Sequence, residues 1–178
     1  TGKIPVNNLG VDLLSIAGHK LYAPKGIGAL FIRDGVNLEK LIHGADQEQN
    51  LRAGTENLAW IVGLGKACEL ALKELEENEA HSKKLRDLLH QKISDAIPVV
   101  VLNGHPEDRL PNTLSLSFPG IEANLILSEL SDGVAASAGA ACHGGEVNMS
   151  ATLKAMSVPP EIAMGTIRFS TGRVLDEN

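Results

Sequence analysis

Two side chains in this sequence could act as nucleophiles, the amine of Lys20 and the thiol of Cys142. Lys20 follows an apolar run and is preceded by Gly18 and His19, where a backbone can come close to a ligand. A lysine desolvated there has a lowered pKa, and its neutral amine condenses with an aldehyde. The alternative is a solvated loop lysine. Cys142 lies in a stretch from Ala135 to Gly145 that is almost wholly Ala, Gly and Ser. Such a segment can move and present a thiol, and a protonated His143 or another cation would favour the reactive thiolate. The alternative is a buried structural cysteine, against which the flanking glycines weigh. Cys68 sits in an apolar helical pattern and is expected in the core.

Arg168, within Ile167-Arg168-Phe169-Ser170, could grip a carboxylate through two parallel hydrogen bonds. A salt bridge at a sheet edge is the plainer reading. In Arg52-Ala53-Gly54-Thr55-Glu56-Asn57, Gly and Thr ahead of a helix offer backbone amides and a hydroxyl to a phosphate. An ordinary helix cap explains the same residues. His81 and His90 are not at the i, i+4 spacing of a helical metal pair, and no other histidine has a ligand partner at a recognisable spacing. There is no G-x-G-x-x-G after a strand and no P-loop, so a nucleotide site has little support.

The elements that must position these groups follow from periodicity. Residues 11–16 and 27–32 read as two buried strands flanking a turn-rich loop that carries Lys20. Residues 33–57 read as a long polar loop, a length that is usually functional or disordered. From about Leu58 to Ile93 apolar residues recur at helical spacing. That is long for one helix, so the spacing predicts a break near residues 78–82, with Thr55 or Asn57 as cap. Gly63 and Gly65 inside this pattern point to close packing. Strands are predicted over 99–102 and 113–118, a helix over 123–130, and a loop of small residues over 137–148. Ser150 is expected to cap a helix, Pro159-Pro160 to open another, and 167–170 to form a last strand.

At 178 residues the chain can bury one ordinary core or two small ones. That core must be aliphatic, because aromatics are only 3%. A net charge of −6 with scattered Lys and Arg gives no reason to expect nucleic acid or an anionic membrane as partner. The two cysteines form no C-x-x-C, and no apolar run approaches the roughly 20 residues needed to span a bilayer. A cytoplasmic location is therefore expected. The opening residues lack a signal-peptide pattern, and the absence of Met suggests that Thr1 is not the natural start.

Taken together, five motifs resemble the cysteine desulfurases and the closely similar selenocysteine lyases over almost the whole chain. They are Gly18-His19-Lys20-Leu21-Tyr22-x-Pro24-Lys25-Gly26, Leu51-Arg52-Ala53-Gly54-Thr55-Glu56-Asn57, Arg109-Leu110-Pro111-Asn112-Thr113, Ser137-x-Gly139-x-Ala141-Cys142 and Ile167-Arg168-Phe169-Ser170-x-Gly172-Arg173. The resemblance implies an α/β fold: a fragment of a fold-type-I pyridoxal-phosphate transferase. Residues 1–57 would end the large cofactor-binding domain, 58–95 would form a long linking helix, and 96–178 a small α+β domain bearing the cysteine loop. It further implies that Lys20 holds pyridoxal 5'-phosphate and moves the α-proton, and that His19 contacts the cofactor phosphate. Thr55 would reach the phosphate in a partner subunit, hence a homodimer. Arg168 would bind the carboxylate of cysteine or selenocysteine. Cys142 would take the sulfur as a persulfide for a sulfur-acceptor protein.

This sequence departs from the family pattern in three ways. Ala17 stands where the family usually has a phosphate-binding Ser; selenocysteine lyases can lack it too, and Ala140-Ala141-Cys142-His143 looks like theirs. The family's ring-stacking His, pyridine-nitrogen Asp and ring-hydroxyl Gln would lie ahead of Thr1, and the family continues beyond Asn178. The first two strands should then expose apolar faces and open edges, and these residues alone should bind cofactor poorly. A thiol-independent aminotransferase of the same fold and a non-catalytic truncated module remain as rivals.

Overall fold

A computed structural model describes residues 5–143 and 146–177; the side chains of 141–143 and 146–148 lie outside the description. The described chain forms two compact units that divide between Leu75 and Glu76.

The first unit opens with a single helical turn, α1 (Val6–Leu9), closed by Gly10 at φ 64. Strands β1 (Leu13–Ala17) and β2 (Gly28–Ile32) pair antiparallel, Ser15 opposite Leu30. Between them residues Gly18–Leu21 form a 3-10 turn. Both strands were expected to be buried. Instead Leu13, Ile16 and Leu30 are exposed: among the described residues the two strands pair only with each other, and a lone two-stranded pair buries little. This outcome matches the open faces expected of a fold lacking part of its sheet. A short turn α2 (Gln47–Asn50) follows, with Glu48, Gln49 and Asn50 all at positive φ. Helix α3 (Leu58–Lys73) starts at Asn57, whose Oδ1 accepts from Trp60 N. Trp60 Nε1 donates to Lys25 O at 2.7 Å, and Gly63 faces Pro24, where an added Cβ would meet the ring at 3.1 Å. Gly65 has open space around it, so close packing holds for one of the two glycines only. Helix α3 buries none of its residues, and Cys68 is exposed rather than in the core.

The helical stretch breaks at Glu74 (φ −99, ψ 8), not at 78–82, and resumes as α4 (Leu75–Ala96). Residues 78–82 stay helical where the end of the chain packs on them. Thr171 Oγ1 donates to Ser82 O, and His81 Nε2 bonds Leu175 O at 2.9 Å. The Lys84–Glu177 ion pair lies beside them and holds the Glu177 carboxyl below its usual pKa.

The second unit is a sheet of order β3-β4-β8-β5, covered on one face by helices. In chain order its elements are β3 (Val101–Leu102), β4 (Thr113–Ser117), α5 (Ala123–Glu129), β5 (Ser137–Ala138), the ribbon β6 (Ala140–His143) and β7 (Glu146–Met149), α6 (Ala151–Ala155), α7 (Pro160–Ala163) and β8 (Thr166–Ser170). The period of two decides its two faces. Leu114, Leu116 and Ile167, at most 1% exposed, pack with Leu89 and Ile93 of α4 and Ile126 and Leu127 of α5. Alternate residues Ser115, Ser117, Thr166 and Arg168 point the other way.

Residues 137–148 were expected to be an irregular loop. The structure makes 137–138 the end of the sheet and pairs 140–143 with 146–149 as an antiparallel ribbon, with Ala140 opposite Met149 and Cys142 opposite Val147. Ala and Gly carry no strand signal, so only pairing reveals it. The ribbon is stapled at its base: Gly139 N–H donates to Thr166 O at 2.7 Å, and Ser150 N–H to Gly139 O at 3.0 Å. Ser150 then caps α6, its Oγ accepting from Leu153 N. Ala140, Leu153 and Ala163 form a small apolar cluster beneath.

A charge cluster fastens the loop before β4 to α4. Arg86, 3% exposed, donates through Nε and Nη2 to Asp87 Oδ1 and through Nη1 to Leu110 O. Arg109 Nη2 lies 3.7 Å from the same Asp87 oxygen, and its Nε and Nη1 are buried without a partner. Burial, and then Arg86, lower the Arg109 pKa against the pull of Asp87. His90, one turn along, is lowered by burial and by Arg109 and Arg86, with Asp87 opposing.

Two outcomes follow. Because folding depresses the His90 pKa, the unfolded chain takes up that proton first. His90 therefore contributes stability that is present above its ordinary pKa of 6.5 and lost progressively as pH falls from that value through its lowered folded-state pKa. Urea melts of the wild type and His90→Gln between pH 7.5 and 5 should show a shallower acid loss in the variant. At Gly139 a Cβ would sit 2.8 Å from Leu153 Cδ1 and from Thr166 Cβ. Gly139→Ala should cost about 1–3 kcal/mol, while Gly133→Ala, whose Cβ would meet nothing within 4 Å, serves as a neutral control.

Candidate active site

Lys20 and His19 occupy the 3-10 turn at the end of β1, and both side chains are exposed. The turn is pinned from below. Gly18 is buried, its N–H donates to Ile27 O at 2.9 Å, and Ala23 N–H returns to Gly18 O. A Cβ at Gly18 would stand 2.8 Å from Ile27 O, so only glycine lets the turn settle on the start of β2. Tyr22 closes the turn in the left-handed region at φ 61. The backbone is thus held while the amine and imidazole stay presented. Lys20 is not a packed residue.

Thr55 is exposed and stands three residues ahead of α3. Its segment is shaped by Gln47, whose Oε1 accepts from Gly54 N–H, and by Arg52 Nη1, which donates to Gly54 O at 3.1 Å. Gly54 has φ 104, a conformation that strains other residues. Helix α3 packs against the turn that bears Lys20, so both segments belong to one unit.

Arg168 is exposed at the centre of β8, on the polar face of the sheet. Its register partners are Ser115 in β4 and Ser137 in β5. Arg168 Nη2 donates to Ser137 Oγ at 3.2 Å, so the plainer reading of an edge salt bridge does not hold among the described contacts. Toward the other end of this face, buried polar groups satisfy one another. Ser117 Oγ and Thr166 Oγ1 are 2.6 Å apart, and Asn103 Nδ2 donates to Ser117 Oγ. Cys142 lies on β6 of the ribbon that follows β5, and its side chain falls outside the described residues. Arg168 and Cys142 therefore share the second unit, while Lys20, His19 and Thr55 share the first.

The residues of the first unit fit two handles of pyridoxal phosphate. A presented primary amine suits its aldehyde, and an imidazole and a hydroxyl suit its phosphate. Ala17 adds no hydroxyl at the start of the turn, and these residues bring no carboxylate for the ring nitrogen. Among the described residues no group of three or more His, Cys, Asp or Glu could hold a metal ion. Among them also, no helix is long and apolar enough to cross a membrane. Ser137 and Gly139 stand in one of the five motifs, where neither residue type signals a task by itself. Their tasks, a partner for Arg168 and a staple for the ribbon, depend on pairings between strands distant in sequence.

The family Aminotransferase class-V matches residues 1–178. "Cysteine desulfurase IscS" of Dictyoglomus turgidum is 48% identical over 174 residues, covering 96% of this chain and 44% of that protein. "Cysteine desulfurase NifS" of Azotobacter vinelandii is 43% identical over 179 residues, covering 99% and 44%. Among solved structures, a NifS-like protein superposes with a TM-score of 0.85 at 38% identity, over 98% of this chain and 45% of that one. A NifS-like protein from Rickettsia africae gives 0.85 at 30% identity, over 97% and 45%. The chain thus spans less than half the length of the relatives it matches. The expected fold class, part of a fold-type-I transferase, stands on these likenesses. With a match that runs from its first residue to its last, this chain belongs to the class-V aminotransferase family.

Proposed function

We propose that these residues are part of a pyridoxal-phosphate-dependent cysteine desulfurase. Lys20 and Cys142 are its catalytic residues, His19 and Thr55 its phosphate contacts, and Arg168 its grip on the substrate carboxylate. One observation carries the reading furthest: the strand opposite Arg168 runs directly into the ribbon that bears Cys142. A carboxylate held at Arg168 would keep the other end of a small amino acid near that ribbon. Relatives named cysteine desulfurase at 43–48% identity support the same reading.

Pyridoxal phosphate, when bound, supplies an electron sink that lets the proton on the substrate Cα leave. Lys20 Nζ would hold the aldehyde end before substrate arrives and, once displaced by the substrate amine, would carry that proton away from Cα and back toward the substrate. His19 and the Thr55 hydroxyl hold the phosphate; Thr55 does so across the interface of a homodimer. Arg168 offers parallel N–H donors to the carboxylate and so fixes which way the substrate sulfur points. Cys142 Sγ, as thiolate, attacks that sulfur. The new S–S bond forms as the substrate C–S bond breaks, and a proton adds to the carbon left behind. Cysteine becomes alanine, and Cys142 keeps the sulfur as a persulfide for an acceptor protein. A thiol carried on a ribbon between two strands, rather than within the sheet, suits such a hand-over.

In this proposal residues 1–57 complete a larger cofactor-binding domain, 58–95 link, and 96–178 form the small domain, in a cytoplasmic enzyme. Selenocysteine is the second candidate substrate, favoured by Ala17 and by the Ala140-Ala141-Cys142-His143 run. Alanine release from cysteine and from selenocysteine ranks the two.

In the full-length protein Cys142→Ala should lower alanine release from cysteine by at least about a hundredfold. Retention of the wild-type rate would sink the thiol mechanism in favour of a thiol-independent aminotransferase. Titrated with pyridoxal phosphate, residues 1–178 alone should develop only a small fraction of the full-length protein's bound-cofactor absorbance. Full occupancy would show that no residue beyond these is needed to hold the cofactor.

A further inference from the structure

One polar row crosses the sheet from edge to edge. Asn103 N–H bonds Ser115 O, Ser115 lies opposite Arg168, and Arg168 lies opposite Ser137. The adjacent row, Leu102, Leu116, Ile167 and Ala138, is wholly apolar and faces the helices. Arg168 therefore stands on its face between two serines, and the two are used differently. Ser115 Oγ is met by Asn103 Nδ2 at 3.4 Å, whereas Ser137 Oγ accepts from Arg168 Nη2 at 3.2 Å. That bond uses one of the five guanidinium N–H donors.

An exposed arginine on a flexible stem otherwise samples many rotamers, each of which must be given up when a ligand is gripped. A hydrogen bond to a side chain fixed on the neighbouring strand removes part of that freedom beforehand. Ser137 is well placed to stay put. It lies on β5, whose continuation is pinned one residue after Ala138 by the bond from Gly139 N–H to Thr166 O.

We propose that Ser137 is a positioning residue: its hydroxyl holds the Arg168 guanidinium in the attitude that receives a substrate α-carboxylate. The proposal rests on the reading of Arg168 as the carboxylate grip. Ser137 acts only through that arginine, so its removal weakens binding of ligands that carry the carboxylate and leaves ligands without it alone.

The test uses the full-length holoenzyme and its Ser137→Ala, Ser137→Thr and Arg168→Ala variants. Dissociation constants are read from the change in cofactor absorbance with two probes, L-alanine and ethylamine, which lacks the carboxylate. KM and kcat for cysteine are measured alongside. Ser137→Ala should weaken L-alanine by roughly three- to tenfold and raise KM for cysteine by a similar factor. Its kcat and its ethylamine affinity should stay within about twofold of wild type, the size of effect that no lost hydrogen bond would explain. Ser137→Thr, which keeps the hydroxyl, should restore L-alanine binding, and Ser137→Ala should add nothing in the Arg168→Ala background. If Arg168→Ala weakens L-alanine but Ser137→Ala does not, the positioning role is overturned and the carboxylate grip survives. Equal weakening of both probes by Ser137→Ala makes the residue merely structural and also overturns the role. If Arg168→Ala leaves L-alanine unchanged, the reading of Arg168 itself falls.

Discussion

The register between β4 and β8 is the constraint on which the second unit depends. With Leu116 opposite Ile167, the apolar residues of both strands turn to α4 and α5, and Ser115 and Arg168 turn away together. A slip of one residue would carry the guanidinium of Arg168 into the aliphatic core. The hydrophobic side thus enforces the polar side. Burial of Leu114, Leu116 and Ile167 is what keeps a charged residue at the middle of the outer face.

The ribbon that carries Cys142 inherits its place from the same strand. The chain leaves β5, meets Thr166 through Gly139, and returns to Gly139 at Ser150 before α6 begins. Entry and exit are therefore bonded to one residue, and whatever the ribbon does, its base does not wander. Glycine is required there because the backbone lies against the Thr166 side chain. The first unit solves a like problem differently. Buried Gly18 lets a 3-10 turn rest on Ile27, so the Lys20 backbone is held while its amine is left in the open.

Between α4 and β4 lies a cluster that holds by charge rather than by apolar contact. Arg86 and Arg109 share one carboxylate, Asp87, and Arg86 also ties the Leu110 carbonyl to the helix. Burial first, and then the neighbouring guanidinium charge, lower the pKa of both Arg109 and His90, with Asp87 opposing. The gain is geometric: the loop that delivers Thr113 into β4 is fixed to α4, and the β4 register begins from a set point.

Much of this was legible in the residue order. The alternation of 113–118 foretold a strand with one buried face, Asn57, one of two residues offered as cap, and Ser150 serve as caps, and the family followed from five motifs in sequence. Those features are local, so periodicity, side-chain hydrogen-bonding capacity and turn chemistry are enough to reveal them. Other features were decided by tertiary structure. The break at Glu74, the exposure of Leu13, Leu30 and Cys68, and the pairing of 140–143 with 146–149 depend on what packs or pairs against each segment. Ser137 was readable as a small polar residue in a motif. That it meets Arg168, 31 positions away, follows only once β5 and β8 lie side by side, because a hydrogen bond is set by distance in space and not by separation along the chain.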